Sequence, residues 1–117
     1  MEADQDVPAI PSSLASLSAA PPPGRERFGV GVPAGAAGPI TDYAVEQLGI
    51  GWYLNWWVEV NPHRPDGVAF WQMIRVSEEG YRPGPMAICA AAEANPGSVW
   101  LIGNEPDVLW QDNTTPE

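Results

Sequence analysis

The sequence predicts an α/β protein built on a parallel sheet, and three observations carry that prediction. The segments "IGWYLNWW" (50–57) and "VAFWQMIRV" (68–76) are apolar on both alternating faces, as parallel strands covered on both sides are. Helical and strand patterns follow one another as strand, helix, strand, strand, helix, strand. Proline and glycine punctuate the chain where these elements begin and end. At 117 residues there is room for one core.

Residues 1–27 read as a disordered linker rich in Pro, Ser and Ala, with no sustained apolar period to order it. Glu2, Asp4 and Asp6 come first and Pro8 and Pro11 interrupt, unlike the basic start and clean apolar run of a secretory signal. Such stalks follow a signal or lipid anchor in exported bacterial proteins, so a start further upstream would place the protein outside the cell or on its surface. The organised part is 28–117. "FGVGVP" (28–33) is a short strand ended by Pro and Gly, and "ITDYAVEQLG" (40–49) a short helix capped by Thr41 or Asp42 and closed by Gly49. Between Trp57 and Val68 lie ten residues with Pro62 and Pro65, too few for a crossover helix, so an irregular loop is expected there. Pro85 opens a second helix through "MAICAAAEA", closed by Pro96 and Gly97, and "SVWLIG" (98–103) is the fourth strand. The closing "DNTTPE" reads like the start of another helix.

Fifteen acids face five arginines and no lysine, for a net charge of −10. That balance argues against nucleic acid and anionic membranes, since phosphate binding needs clustered cations. A neutral polymer such as a polysaccharide fits it without strain. No apolar run approaches the ~20 residues of a membrane span. Cys89 stands alone, so no internal disulfide is expected, and it reads as a small buried thiol. His63 has no second His or Cys nearby, which argues against a metal site. No cofactor motif is present.

The chemistry concentrates in "VWLIGNEPDVLW" (99–110), where an apolar strand delivers Asn104, Glu105 and Asp107 at its carboxyl end. Parallel sheets gather their chemistry at such ends. Among Trp100, Trp110 and apolar neighbours a carboxyl group is partly desolvated, which raises its pKa toward that of a general acid. Pro106 is expected to hold Glu105 in the extended region. Asn104 can donate to a hydroxyl and Asp107 can accept from one. A solvated loop acid is the competing reading for Glu105. Trp52, Trp71 and Trp100 lie inside strands and read as core, whereas Trp56, Trp57 and Trp110 near strand ends are placed to stack on sugar rings. Arg75 reads as one half of an ion pair.

"WLIGNEPD" resembles the Asn-Glu-Pro motif at the end of the fourth strand in retaining glycoside hydrolases with a (β/α)8 barrel. "GWYLNWW" and "FWQMIRV" precede it in the order and spacing of the glycosyl hydrolase catalytic-core family that includes endo-β-1,3-glucanases. That family typically carries Trp-Tyr-Tyr-Asn-Trp, Phe-Val-Pro-Met and Asn-Glu-Pro-Asp. Here Trp52, Tyr53, Asn55 and Trp56 match the first with Leu54 for the middle Tyr, and Phe70 and Met73 match the second with Trp71 and Gln72 for Val-Pro. Asn104, Glu105, Pro106 and Asp107 match in full. The resemblance implies the N-terminal half of a (β/α)8 barrel truncated after the fourth strand, since the full barrel needs about 250 residues. It also implies Glu105 as general acid/base and Asn104 as the ligand of a sugar 2-hydroxyl.

The candidate site is therefore Glu105 as catalytic residue, with Asn104, Asn55, Trp56, Trp57 and Trp110 as substrate-binding residues and no metal. The retaining mechanism requires a second carboxylate about 5–5.5 Å from the acid, which the family supplies from a later strand absent from this sequence. Glu59, beside Asn61 and Pro62, reads as a solvated loop acid. Two functions compete: a fragment of a polysaccharide-cleaving enzyme, inactive by itself, and a barrel that binds carbohydrate without cleaving it. Half a barrel also predicts self-association through an open sheet edge.

Overall fold

The computed structural model describes residues 24–115. The linker expected over 1–27 lies outside them except for its last four residues. Of these, Arg25–Arg27 close one 3-10 turn, and Arg25 Nε donates to the carbonyl of Ile50 at 2.9 Å.

Six short strands make two three-stranded sheets. In the first, β1 (Gly29–Gly31), β2 (Trp52–Leu54) and β3 (Ala69–Phe70) run parallel in that order. In the second, β4 (Gln72–Ser77) lies between β5 (Gly80–Arg82), its antiparallel partner, and β6 (Trp100–Ile102), its parallel one. A single residue, Trp71, separates β3 from β4. Its amide still bonds Tyr53 of the first sheet at 2.9 Å, while the next amide, Gln72, bonds the carbonyl of Val99 at 2.9 Å. The chain changes partners there, which divides the strand expected over 68–76 between two sheets.

The expected half of a (β/α)8 barrel is not what forms. That architecture alternates every strand with a helix, and here two three-stranded sheets are joined with few helices. The helix expected over 40–49 breaks into a 3-10 turn, Ile40–Asp42, and a four-residue helix α1, Val45–Leu48, because Tyr43 between them is extended at φ −106° and ψ 152°. Thr41, Asp42 and Tyr43 are weak helix formers, and Thr and Asp offer the backbone competing hydrogen bonds. Gly49 closes α1 in the left-handed region as expected, at φ 65°. The second break with the barrel is the β4–β5 hairpin. Glu78 and Glu79 form its turn and Gly80, at φ 116°, starts the returning strand, where only a connection to the next helix was expected. Residues 111–115 form no helix either.

The helix expected after Gly84 is present as α2, Pro85–Ala94, with proline in its first turn. It is anchored by Ala91, which is fully buried, while Met86 is 88% exposed. Cys89 lies two residues from Ala91, about 200° around the helix, and is exposed, so the expectation of a buried thiol is corrected.

The two faces of the first sheet are used differently. Val30, Tyr53 and Phe70 are register partners on one face, packed with Ile40, Val45 and Ile50 into the buried cluster. Tyr53 and Phe70 meet edge to face at 5.0 Å between centroids. On the other face Gly29 stands beside Trp52, whose ring stacks on Trp71 at 3.9 Å and 7°. A Cβ on Gly29 would come within 2.0 Å of the Trp52 ring, and one on Gly31 within 2.4 Å of Trp56 Cη2. The two glycines thus give two indoles a flat surface. Gly29→Ala is expected to displace Trp52, weaken the Trp52–Trp71 stack and cost about 1–3 kcal/mol by overpacking. Near-ultraviolet circular dichroism and urea unfolding check this, and an unchanged indole signal would contradict it.

Candidate functional site

The candidate residues emerge in two places, each just past the carboxyl end of a parallel strand. Asn55, Trp56 and Trp57 follow β2, and Asn104 and Glu105 follow β6 after Gly103. Three non-glycine residues among those described have positive φ: Trp56 at 65°, Glu105 at 46° and Asn113 at 43°. Two of these are candidate site residues. Such backbone costs about 1–3 kcal/mol and persists only where the surroundings over-determine it.

At Glu105 the surroundings are a loop closed on itself. Val108 N–H donates to the Glu105 carbonyl at 3.1 Å, and Thr114 N–H to the Pro106 carbonyl at 2.7 Å. These closures, with Gly103 at φ 86°, turn Glu105 out of the extended conformation expected before proline. The Glu105 side chain is exposed, as are Asp107 and Trp110.

Asp112 holds this loop. It is 3% exposed. Its Oδ1 accepts from Arg75 Nε at 2.8 Å and Nη2 at 2.5 Å, and its Oδ2 from the Asn104 amide at 2.5 Å and the Val76 amide at 3.4 Å. Burial by itself would raise the Asp112 carboxyl. The Arg75 and backbone hydrogen bonds, with the Arg75 charge, outweigh it and hold the group below the ordinary carboxylate range. Arg75 is thus one half of an ion pair, as the sequence suggests, and the pair ties β4 to the residue before Glu105.

The second place is an open cleft of about 400 Å³ beyond β1 and β2. Val32, Pro39, Ile40, Tyr53, Asn55 and Glu59 are among the residues that line it. Asn55 Nδ2 donates to Glu59 Oε1 at 3.0 Å, and Asn55 Oδ1 accepts from the Trp57 amide at 3.0 Å. Gln72, fully buried in β4, holds the Glu59 backbone with both ends of its amide. Its Oε1 accepts from Glu59 N–H at 2.7 Å and its Nε2 donates to the Glu59 carbonyl at 2.8 Å. Buried Asn95 donates to the Val60 carbonyl at 2.9 Å and is itself bonded by Arg64. Glu59 is therefore held in place by buried amides.

Tyr53 reaches into the same cleft and donates its hydroxyl proton to the His63 carbonyl at 2.6 Å. Burial, reinforced by the Glu59 charge and offset in part by Arg64, pushes its pKa up to about 12. A raised folded-state pKa means stability that is complete below the ordinary tyrosine value of about 10 and is lost as pH climbs through about 12. Urea unfolding across this alkaline window is expected to show that loss, and Tyr53→Phe to remove its tyrosine component. An identical alkaline profile in the variant would count against it.

The structure therefore groups Asn55 with the Trp57 backbone, and Asn104 with Asp112 and Gln111. Among the described residues, no hydrogen bond links these two groups. Sequence reasoning missed Asp112, Gln72 and the fixing of Glu59. The available signal for Gln72 was its place inside an apolar strand, since a buried amide must find partners. Among the described residues no three His, Cys, Asp or Glu side chains form a group able to hold a metal ion, and no helix is long and apolar enough to cross a membrane. The fold and site define a small acidic α/β chain with polar and aromatic groups at its strand ends. Comparison with protein-family models, curated proteins and solved structures finds no match.

Proposed function

We propose that the chain acts on glycans as part of a glycoside hydrolase. In this reading the protein cleaves O-glycosidic bonds of a β-glucan-like polysaccharide by a retaining two-carboxylate mechanism, with Glu105 as general acid/base and the nucleophile supplied from outside this chain, which is inactive by itself. The observation that supports it best is the backbone at Trp56 and Glu105, both left-handed and both just past a parallel strand. Strain of this kind concentrates where a side chain must be aimed. The exposed Glu105 carboxyl can reach a glycosidic oxygen of a bound chain, protonate the departing sugar and then take a proton from the incoming water. Asn104 and Asn55 offer amides for sugar hydroxyls, while Trp56, Trp57 and Trp110 offer ring faces.

A second reading, glycan binding without cleavage, is favoured by the state of Asp112. It is the buried acid of this loop, and its oxygens are committed to Arg75 and two backbone amides rather than to chemistry. Incubation of β-1,3-glucan oligosaccharides with a longer protein that also supplies the second carboxylate separates the readings. New reducing ends that Glu105→Gln abolishes support hydrolysis. Saturable tryptophan quenching without new reducing ends supports binding, and neither signal removes both.

A further inference from the structure

The cleft beyond β1 and β2 has a chemical bias that the glycan reading does not by itself require. Two of its polar side chains already spend hydrogen-bonding capacity within the protein. The Tyr53 hydroxyl donates to the His63 carbonyl, and Asn55 donates one N–H to Glu59 while its Oδ1 accepts from the Trp57 amide. The cleft's uncommitted anionic acceptor is the Glu59 carboxylate, whose Oε2 accepts no hydrogen bond among the described residues. Among the described residues no arginine lines the cleft, and the sequence holds no lysine. Asn61 and His63 are its other polar side chains, both exposed. Among the apolar residues that line the cleft, Pro39 is exposed and can meet the carbon face of a ring, while Val32 and Ile40 belong to the buried cluster beneath it.

Glu59 is also prepared. A fully buried glutamine commits both ends of its amide to the backbone of this one residue, and Asn55 fixes the carboxylate. A supporting shell of this kind keeps a binding group in one geometry before the ligand arrives. A fixed carboxylate with uncommitted acceptor capacity is matched by an ammonium group, which brings three donors and a charge.

We infer that this cleft binds an amino sugar, a hydroxylated ring carrying a protonated amine, with Glu59 as the counter-ion. The sugar part rests on the glycan reading, and the amine part rests on the fixed Glu59 carboxylate and its uncommitted oxygen.

The test is titration calorimetry of the chain with glucosamine, glucose and N-acetylglucosamine at about pH 6. Glucosamine is expected to bind at least roughly tenfold more tightly than the two uncharged sugars, the scale of one charge-assisted contact. The preference should weaken with added salt. Glu59→Gln keeps the shape and the backbone contacts to Gln72 but removes the charge, so the preference should fall to within about twofold. Circular dichroism confirms that the variant is folded, and Glu59→Asp, which keeps the charge on a shorter arm, should retain part of the preference. Equal binding of all three sugars, binding of none, or a preference that survives Glu59→Gln overturns the inference. β-1,3-Glucan oligosaccharides test the other reading separately. If they bind and glucosamine has no advantage, the amine inference alone falls. A glucosamine preference with neither binding nor cleavage of glucan overturns the glucan reading and leaves the amine inference standing.

Discussion

Asp112→Ala is expected to destabilise the fold by about 3 kcal/mol, the lower end of the range for breaking a buried ion pair. The carboxylate is nearly inaccessible, whereas the Arg75 side chain keeps 22% of its surface in water, which softens the cost of leaving it unpaired. Removing the carboxylate also strips the Asn104 and Val76 amides of their acceptor. Against a typical total stability of about 5–15 kcal/mol, that loss is large. Replacing both partners, Asp112→Leu with Arg75→Met, is expected to cost less, because no charge is then left without its partner and only the Asn104 and Val76 amides lose their acceptor. The pH dependence follows from the direction of the Asp112 shift. A carboxyl held below its ordinary range contributes stability in full above the ordinary aspartate pKa of about 3.9. It loses that contribution as pH falls through the lower folded-state value. The gap between wild type and Asp112→Asn in urea unfolding should therefore narrow in acid. A single replacement costing less than about 1 kcal/mol at neutral pH would show that the pair does not hold the loop.

The elements that were legible in the sequence are those whose signal is local. Trp52–Leu54 and Trp100–Ile102 lie within apolar runs, and Pro85–Ala94 is a run of good helix formers opened by proline and followed by Pro96 and Gly97. The parallel pairing of β2 and β6 with their neighbours follows from those runs. The barrel failed as a prediction because it came from motif order, and motif order does not set connections. Glu78–Glu79–Gly80 is a turn whose glycine returns the chain antiparallel, and it resembles a polar linker when read for hydrophobic period alone. The site was legible where residues follow a strand, as Asn55 and Glu105 do. It was illegible where a distant group acts. Asp112 is eight residues past Asn104, and Gln72 is thirteen past Glu59, so only the fold brings each pair together. The extended backbone expected at Glu105 failed for the same reason. The preference imposed by Pro106 is local, and the Asp112 anchor with the Val108 and Thr114 closures overrides it.

In a full-length protein that supplies the nucleophile, Glu105→Gln carries the largest expected effect on function. If Glu105 is the general acid/base, glutamine keeps its size and hydrogen bonding but cannot donate the proton that a departing sugar needs. General acid/base groups contribute typically ~10²–10⁴-fold, so cleavage of natural glucan should fall by that order. An aryl glycoside with a good leaving group needs little protonation, so formation of the glycosyl intermediate should suffer far less. The second step still lacks its base, and the intermediate should accumulate as a burst. Azide, an anion that attacks without giving up a proton, should relieve that step and release a glycosyl azide. This pattern separates a proton-transfer role from a structural one, because a misfolded loop would lower both substrates together and gain nothing from azide. Equal losses without rescue remove Glu105 from the acid/base role. Undiminished cleavage of the natural glucan removes it from the site altogether.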